Sequence, residues 1–226
     1  MTSPATPGQA ASLARPPAAA PVQRLQFRFR LFPLGLITGM FDPQLLVELI
    51  REGCESGHRL IRREFTLEPR RVLLILQALS FGLVFRRDAQ KPEPEHDYRV
   101  AIYKTRFFTK TVNTEDLARV LNQTAEGGFE LYHALKYPTR FLFFFPRESY
   151  IFIFRRPFAG QPRQTNYIVH QTPYRFFSRT MDPQVYESDL NTLGRTGQIK
   201  ITFRDERRVL GLFRQPTAVA IFEQGA

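Results

Sequence analysis

The feature that most constrains this chain is that one stretch of it occurs three times. The stretch is clearest between Tyr98 and Pro157. It opens with an alternating apolar run, Tyr98-Arg99-Val100-Ala101-Ile102-Tyr103, and passes through a helix-start signal, Asn113-Thr114-Glu115-Asp116-Leu117, to the pair Gly127-Gly128. Two apolar runs close it, Phe141-Leu142-Phe143-Phe144-Phe145 and Tyr150-Ile151-Phe152-Ile153-Phe154. Phe27, Tyr98 and Tyr167 open three such units. Asp42, Asn113 and Asp182 stand one common interval later, and Gly57, Gly128 and Gly197 the same interval later again. A fixed period implies supersecondary units that complete their cores by stacking on one another.

These landmarks divide the chain into a tail at 1–22, units at 23–88, 98–157 and 167–226, and linkers at 89–97 and 158–166. A module of about 60 residues is marginal alone, so the three are expected to pack together. In the first, Phe27, Phe29 and Leu31 alternate with Arg28 and Arg30, the pattern of a half-buried strand. Asp42-Pro43 reads as an N-cap followed by Pro at the first helical position. Leu45, Leu46, Leu49, Ile50 and Cys54 then fall at helical spacing, and Gly57 is the stop. Strands are expected at Leu60–Phe65, Val72–Leu76 and Phe81–Phe85.

In the second unit Leu117, Val120 and Leu121 mark the helix face, and Pro146-Arg147-Glu148 reads as the turn between the two closing runs. In the third, Arg214-Gln215-Pro216 is the corresponding turn between Val209–Phe213 and Ala218–Phe222. The third helix has the weakest apolar face, with Glu187, Ser188 and Asp189 at its middle. The expected fold is α+β: three tandem β-α-β-β-β modules packed together, in a row or around a pseudo-threefold axis. Consecutive apolar positions in the closing runs imply that both sheet faces are buried. The second face therefore meets another module, another copy of the chain or lipid. These runs are too short and too interrupted for a helix across a bilayer, so no transmembrane segment is expected.

The order Tyr98-Arg99-Val100, Glu115-Asp116-Leu117, Ala125-Glu126-Gly127-Gly128-Phe129-Glu130-Leu131 and Ile151-Phe152-Ile153-Phe154-Arg155-Arg156-Pro157 resembles the small bacterial domain-of-unknown-function family numbered 4177. Its members have a strand, a helix ending in a Glu-Gly-Trp-Glu-Leu type of turn, and a closing Phe-Arg-Arg strand; Phe129 stands where that family often has Trp. The first unit is similar through Glu55-Ser56-Gly57-His58-Arg59-Leu60 and Phe85-Arg86-Arg87. The third departs further, with Gly197-Gln198-Ile199 and Phe222-Glu223-Gln224. The resemblance implies a fold and no activity.

A net charge of +11 spread over all three units favours anionic partners: nucleic acid, an anionic membrane surface or an acidic protein. Cys54 is the only cysteine, which excludes an intramolecular disulfide and a cysteine-based metal site within one chain. His58, His96, His133 and His170 stand in no motif that would supply a base to it, so a small buried residue is the expected role. Paired carboxylates and a phosphate-binding Gly loop are missing, because Gly127-Gly128 ends a helix whereas phosphate cradles open one. No enzymatic activity, cofactor or metal is expected. The Ala/Pro-rich tail is read as disordered and lacks the apolar core of a secretory signal, so a cytoplasmic location is expected.

The candidate binding residues lie between first strand and helix. The second unit carries Arg106, Phe107, Phe108 and Lys110 there, and the third carries Arg175, Phe176, Phe177 and Arg179 in identical register. Aromatics flanked by bases could stack on unpaired nucleotides while the cations hold phosphates. The first unit keeps an apolar pair, Leu36-Ile37, without the charges, which speaks for packing against the neighbouring helix. Arg70-Arg71, Arg140 and Arg207-Arg208, near Glu68, Asp205 and Glu206, are read as charged edges that discourage strand-to-strand aggregation. The leading expectation is a non-catalytic binding or scaffold protein whose partner is another protein, a larger assembly or itself. The alternative is an RNA or single-stranded DNA binder.

Overall fold

The computed structural model describes residues 25–33, 42–61, 66–73, 76–88, 95–105, 111–141, 145–158, 162–175, 180–209 and 213–225. The tail at 1–22 lies outside them. The first unit comprises β1 (Leu25–Pro33), α1 (Pro43–Cys54), a short 3-10 turn (Glu55–Gly57), β2 (Arg59–Leu60), β3 (Thr66–Leu73) and β4 (Leu76–Asp88). The second has β5 (His96–Lys104), α2 (Thr114–Ala125), β6 (Glu130–Phe141) and β7 (Phe145–Pro157). The third has β8 (Thr165–Pro173), α3 (Pro183–Gly194), β9 (Gln198–Val209) and β10 (Phe213–Gly225). The class is α+β, with three sheet–helix units and every sheet antiparallel.

The last strand of each unit is central. The orders are β5-β7-β6 and β8-β10-β9, and in the first sheet β4 lies between β1 and the successive strands β2 and β3. The second and third units therefore hold three strands where the sequence spacing predicts four. The reason is the position of the hairpin turn. Phe141 pairs with Phe145 and Val209 with Phe213, so those apolar runs straddle the turns, and Pro146-Arg147-Glu148 and Arg214-Gln215-Pro216 lie inside β7 and β10. Pairing of β7 with β5 begins only at Ser149, and pairing of β10 with β8 only at Thr217. Each Pro thus sits just beyond the ladder with the first strand, a place that tolerates a missing N–H, and the Pro216 carbonyl there still accepts the Tyr174 N–H at 2.9 Å.

The helices start as their caps dictate. Asp42 accepts the Gln44 N–H at 2.8 Å, Asn113 accepts that of Asp116 at 2.9 Å, and Asp182 accepts that of Gln184 at 3.1 Å. At the far end an Arg from the first strand satisfies helix carbonyls. Arg28 donates to the Glu52 carbonyl at 2.9 Å, and its counterpart Arg99 to that of Glu126 at 2.9 Å. Gly128, at φ +84°, could not carry a Cβ, which would stand 2.7 Å from the Pro162 Cα. In the first unit Ser56 holds a left-handed conformation, φ 61°, where the second unit has Gly127.

Packing follows the alternation of β7. Tyr150, Phe152 and Phe154 join Leu117 and Leu121 of α2, together with Tyr167, Val169, Val219 and Ile221 of the third unit. Ile151 and Ile153 point the other way, into a cluster with Leu46 and Ile50 of α1 and Leu83 and Phe85 of β4. α1 packs on its own sheet and on β5, and α2 on its own sheet and on β8. The second unit sits between the other two, in a row.

Polar groups at the two junctions are matched one to one. The Asn122 amide of α2 donates to the Tyr167 carbonyl at 3.1 Å and accepts the Tyr167 N–H at 2.6 Å. The equivalent α1 residue, Arg51, binds Asp97 at 2.7 Å, and Asp97 in turn accepts the Tyr98 N–H at 2.9 Å. Both helices therefore secure the main chain at the start of the next unit. Asp205 is fully buried: it accepts the Val112 N–H of the second unit at 2.8 Å and faces the Tyr150 hydroxyl at 3.4 Å. It is a junction acceptor, correcting its reading as part of a charged edge.

Two outcomes are expected in denaturant titrations. Ser56→Gly should stabilise the protein by about 0.5–1 kcal/mol by relieving the left-handed backbone, whereas Gly128→Ala should cost about 2 kcal/mol or more. Asp205→Ala should cost about 2–3 kcal/mol, because the buried Val112 N–H loses its acceptor; a neutral result would mean that water replaces the carboxylate.

Candidate functional site

Stacking leaves the two ends of the row different from its junctions, and the register measures the difference position by position. Phe29 pairs with Val84, Val100 with Ile153, and Val169 with Ile221, the same cross-strand pair in three sheets. In the second and third units this pair lies under the preceding unit, and Ile153 and Ile221 are at most 1 % exposed. In the first unit no helix of the described residues covers it, and Phe29 is 47 % exposed. Leu25, 38 % exposed, lies on the same face four residues away along β1. So does Arg86, by the alternation from Val84, and its buried Nε has no hydrogen-bond partner. Its counterpart Arg155 stacks 4.2 Å above the Tyr132 ring, which stands at the position of Ile61.

The other end shows the converse. Leu60 pairs with Phe85, Leu131 with Phe154, and Ile199 with Phe222. Leu60 and Leu131 are buried beneath the next unit, while Ile199 is 42 % exposed. No residue of α3 is fully buried. It is held instead by carboxylates: Asp189 accepts the Thr172 hydroxyl at 2.6 Å and meets His170 Nε2 at 3.0 Å, and Asp182 takes Arg175 at 2.6 Å. The Thr172 hydroxyl holds the Asp189 carboxyl below its ordinary range, as the Arg175 guanidinium does for Asp182.

Of the loop residues singled out in the sequence, Arg106, Phe107, Phe108 and Lys110, like Phe176, Phe177 and Arg179, lie outside the described residues. Arg175 is described, and its guanidinium is engaged with the α3 cap through both Nε and Nη2. Its N–H also donates to the Thr180 carbonyl at 2.8 Å, joining the two ends of that loop.

A cavity of about 250 Å³ opens between the first and second units, lined by Arg51, Cys54, His58, Arg59, His96 and Tyr98 among others. Cys54 Sγ lies 3.4 Å from the Tyr98 hydroxyl. Burial pushes the thiol above its ordinary 9.0 and raises the Tyr98 phenol too, so both are protonated at neutral pH. His58 Nδ1 is spent on the Glu55 carbonyl at 3.1 Å. Among the described residues no group of His, Cys, Asp and Glu has the spacing of a metal site, and no helix is long and apolar enough to cross a membrane. The feature that the sequence concealed is the open face of the first sheet, since nothing in β1 marks it as different from β5 or β8.

The chain matches no protein-family model, no curated protein and no solved structure.

The depressed carboxyls fix the acid response of α3. Their charged forms are the ones bound in the fold, so their contribution is complete above the ordinary 3.8 and is lost as pH falls through the lower folded values. Acidification should therefore release α3 before α1 or α2, seen as earlier amide exchange in residues 183–194, and Arg175→Ala should flatten that dependence.

Proposed function

We propose that the chain is a non-catalytic scaffold or assembly protein that binds another macromolecule on the outer face of its first sheet. The observation that carries this reading is Phe29, 47 % exposed and paired with the half-buried Val84, at positions that both other units pack beneath a neighbour. Exposed apolar surface of this kind marks an interaction site, and the equivalent faces of both other units are interfaces within the molecule. The three-unit row supplies a support for it, and a cytoplasmic setting fits a chain with a lone, half-buried thiol. The resemblance of the second unit to family 4177 accords with a module used for its shape, since it implies no activity.

The net charge of +11 and the two loops in matching register favour a second reading, binding of single-stranded nucleic acid. There Phe107, Phe108, Phe176 and Phe177 would stack on bases, and Arg106, Lys110 and Arg179 would hold phosphates. Arg175 contributes less, being committed to Asp182.

Purification of a tagged chain, expressed beside the untagged one at low salt, separates these readings. The expected result is a stoichiometric protein, the untagged chain or another, that survives nuclease and is lost with Phe29→Glu. A band retained equally by the variant, or no band, would sink the sheet-face reading. Nucleic acid released by salt would promote the second.

A further inference from the structure

The two junctions inside the chain define what the exposed sheet face is shaped to receive, and the chain's own last unit carries the matching parts. At each junction a helix lies on the first strand of the next unit, and one residue of that helix secures the strand's main chain: Arg51 through Asp97 at β5, and Asn122 directly at Tyr167 of β8. The equivalent position in α3 is Asn191. It is exposed, and its side chain bonds to none of the described residues. The main-chain groups equivalent to those of Tyr167 belong to Phe27, which faces Arg86 across β4 as Tyr167 faces Glu223 across β10. β1 is an edge strand, as β8 is.

The charges agree with this placement. Glu187 of α3 occupies the position of Val47 and Ala118, the α1 and α2 residues turned toward the next unit. It is exposed, and α3 carries no basic residue. On the outer face of the first sheet, the Arg86 Nε is without an acceptor. The apolar part is supplied by Ile199, whose counterparts Leu60 and Leu131 are both buried under a following unit.

We infer that copies of this chain stack head to tail, with α3 and β9 of one copy seated on the outer face of the first sheet of the next. Asn191 then clamps the Phe27 main chain as Asn122 clamps that of Tyr167, and Glu187 meets Arg86. Such an interface joins two different surfaces, so it propagates into a filament or closes into a ring. The inference rests on the reading of the sheet face as a docking surface and names its occupant.

Sedimentation of the full chain over a range of concentrations tests it, with Phe29→Glu breaking the sheet end and Glu187→Arg/Asn191→Ala breaking the helix end. All three positions are exposed, and circular dichroism would verify the fold of each variant. Wild type should grow beyond a dimer with concentration, and each variant alone should stay monomeric. An equimolar mixture of the two should form a dimer and nothing larger, because it contains one intact pair of surfaces. A wild-type chain that remains monomeric would overturn the inference, as would a dimer that survives in the α3 variant, which would mean sheet faces pairing with each other. In either case a Phe29-dependent partner in the purification above would leave the docking-surface reading standing, and its absence would remove both.

Discussion

The structure depends on the burial of both faces of a central strand. In β7, Tyr150 to Phe154 are all at most 1 % exposed, with alternate side chains directed to opposite sides. One helix on a three-stranded sheet can dry only one of those sides. The other has to be covered by a neighbouring unit, and α1 with β4 provides that cover for Ile151 and Ile153. Each such side chain contributes about 1.5–3 kcal/mol on leaving water, against a conformational cost of about 1–2 kcal/mol per residue ordered. A lone module is left close to balance, and the shared faces shift that balance toward the fold.

Once the junctions are dry, their polar atoms must be satisfied internally. That requirement explains why the side chains with the most defined geometry lie between units rather than in a cleft. Asp205 accepts from Val112, Asn122 closes on Tyr167, and the Tyr167 hydroxyl takes the Leu131 N–H at 2.7 Å while facing Glu223 at 3.2 Å. Toward the ends of the row this density falls away. Phe29 and Ile199 retain the residue type of buried positions while remaining about half exposed. α3 exchanges apolar contact for carboxylate anchors. The proposed scaffold function and the head-to-tail association both follow from that asymmetry between junctions and ends.

Much of this was legible in the chain. The period, the N-caps at Asp42, Asn113 and Asp182, and the two-faced burial of Tyr150–Phe154 are local signals that the fold keeps. The misplaced hairpin turns show where local reading fails. Pro-Arg-Glu is an ordinary turn signal, yet in β7 it is tolerated because β5 stops short of it, a fact about a strand some forty residues away in sequence. Asp205 misled for a similar reason: beside Arg204 and Glu206 it reads as surface charge, and only the approach of Val112 makes it a buried acceptor. Gly197 repeats Gly57 and Gly128 in sequence, but the need it meets is close approach, since a Cβ there would lie 2.8 Å from the Glu223 carbonyl oxygen.

The sequence by itself determined that there are three units, where their helices begin, and that a central strand such as Tyr150–Phe154 must be covered on both sides, because caps and hydrophobic periodicity act over a few neighbouring residues. The tertiary structure alone decided the order of stacking, the acceptor role of Asp205, the pairing of Arg175 with the α3 cap, and which copy of a repeated apolar face is left partly exposed. Repeated units carry nearly the same pattern whether they stand at a junction or at an end. The difference between Val100, packed beneath the first unit, and Phe29, about half exposed, lies in which unit stands against each, and only the packing of one unit on another supplies that.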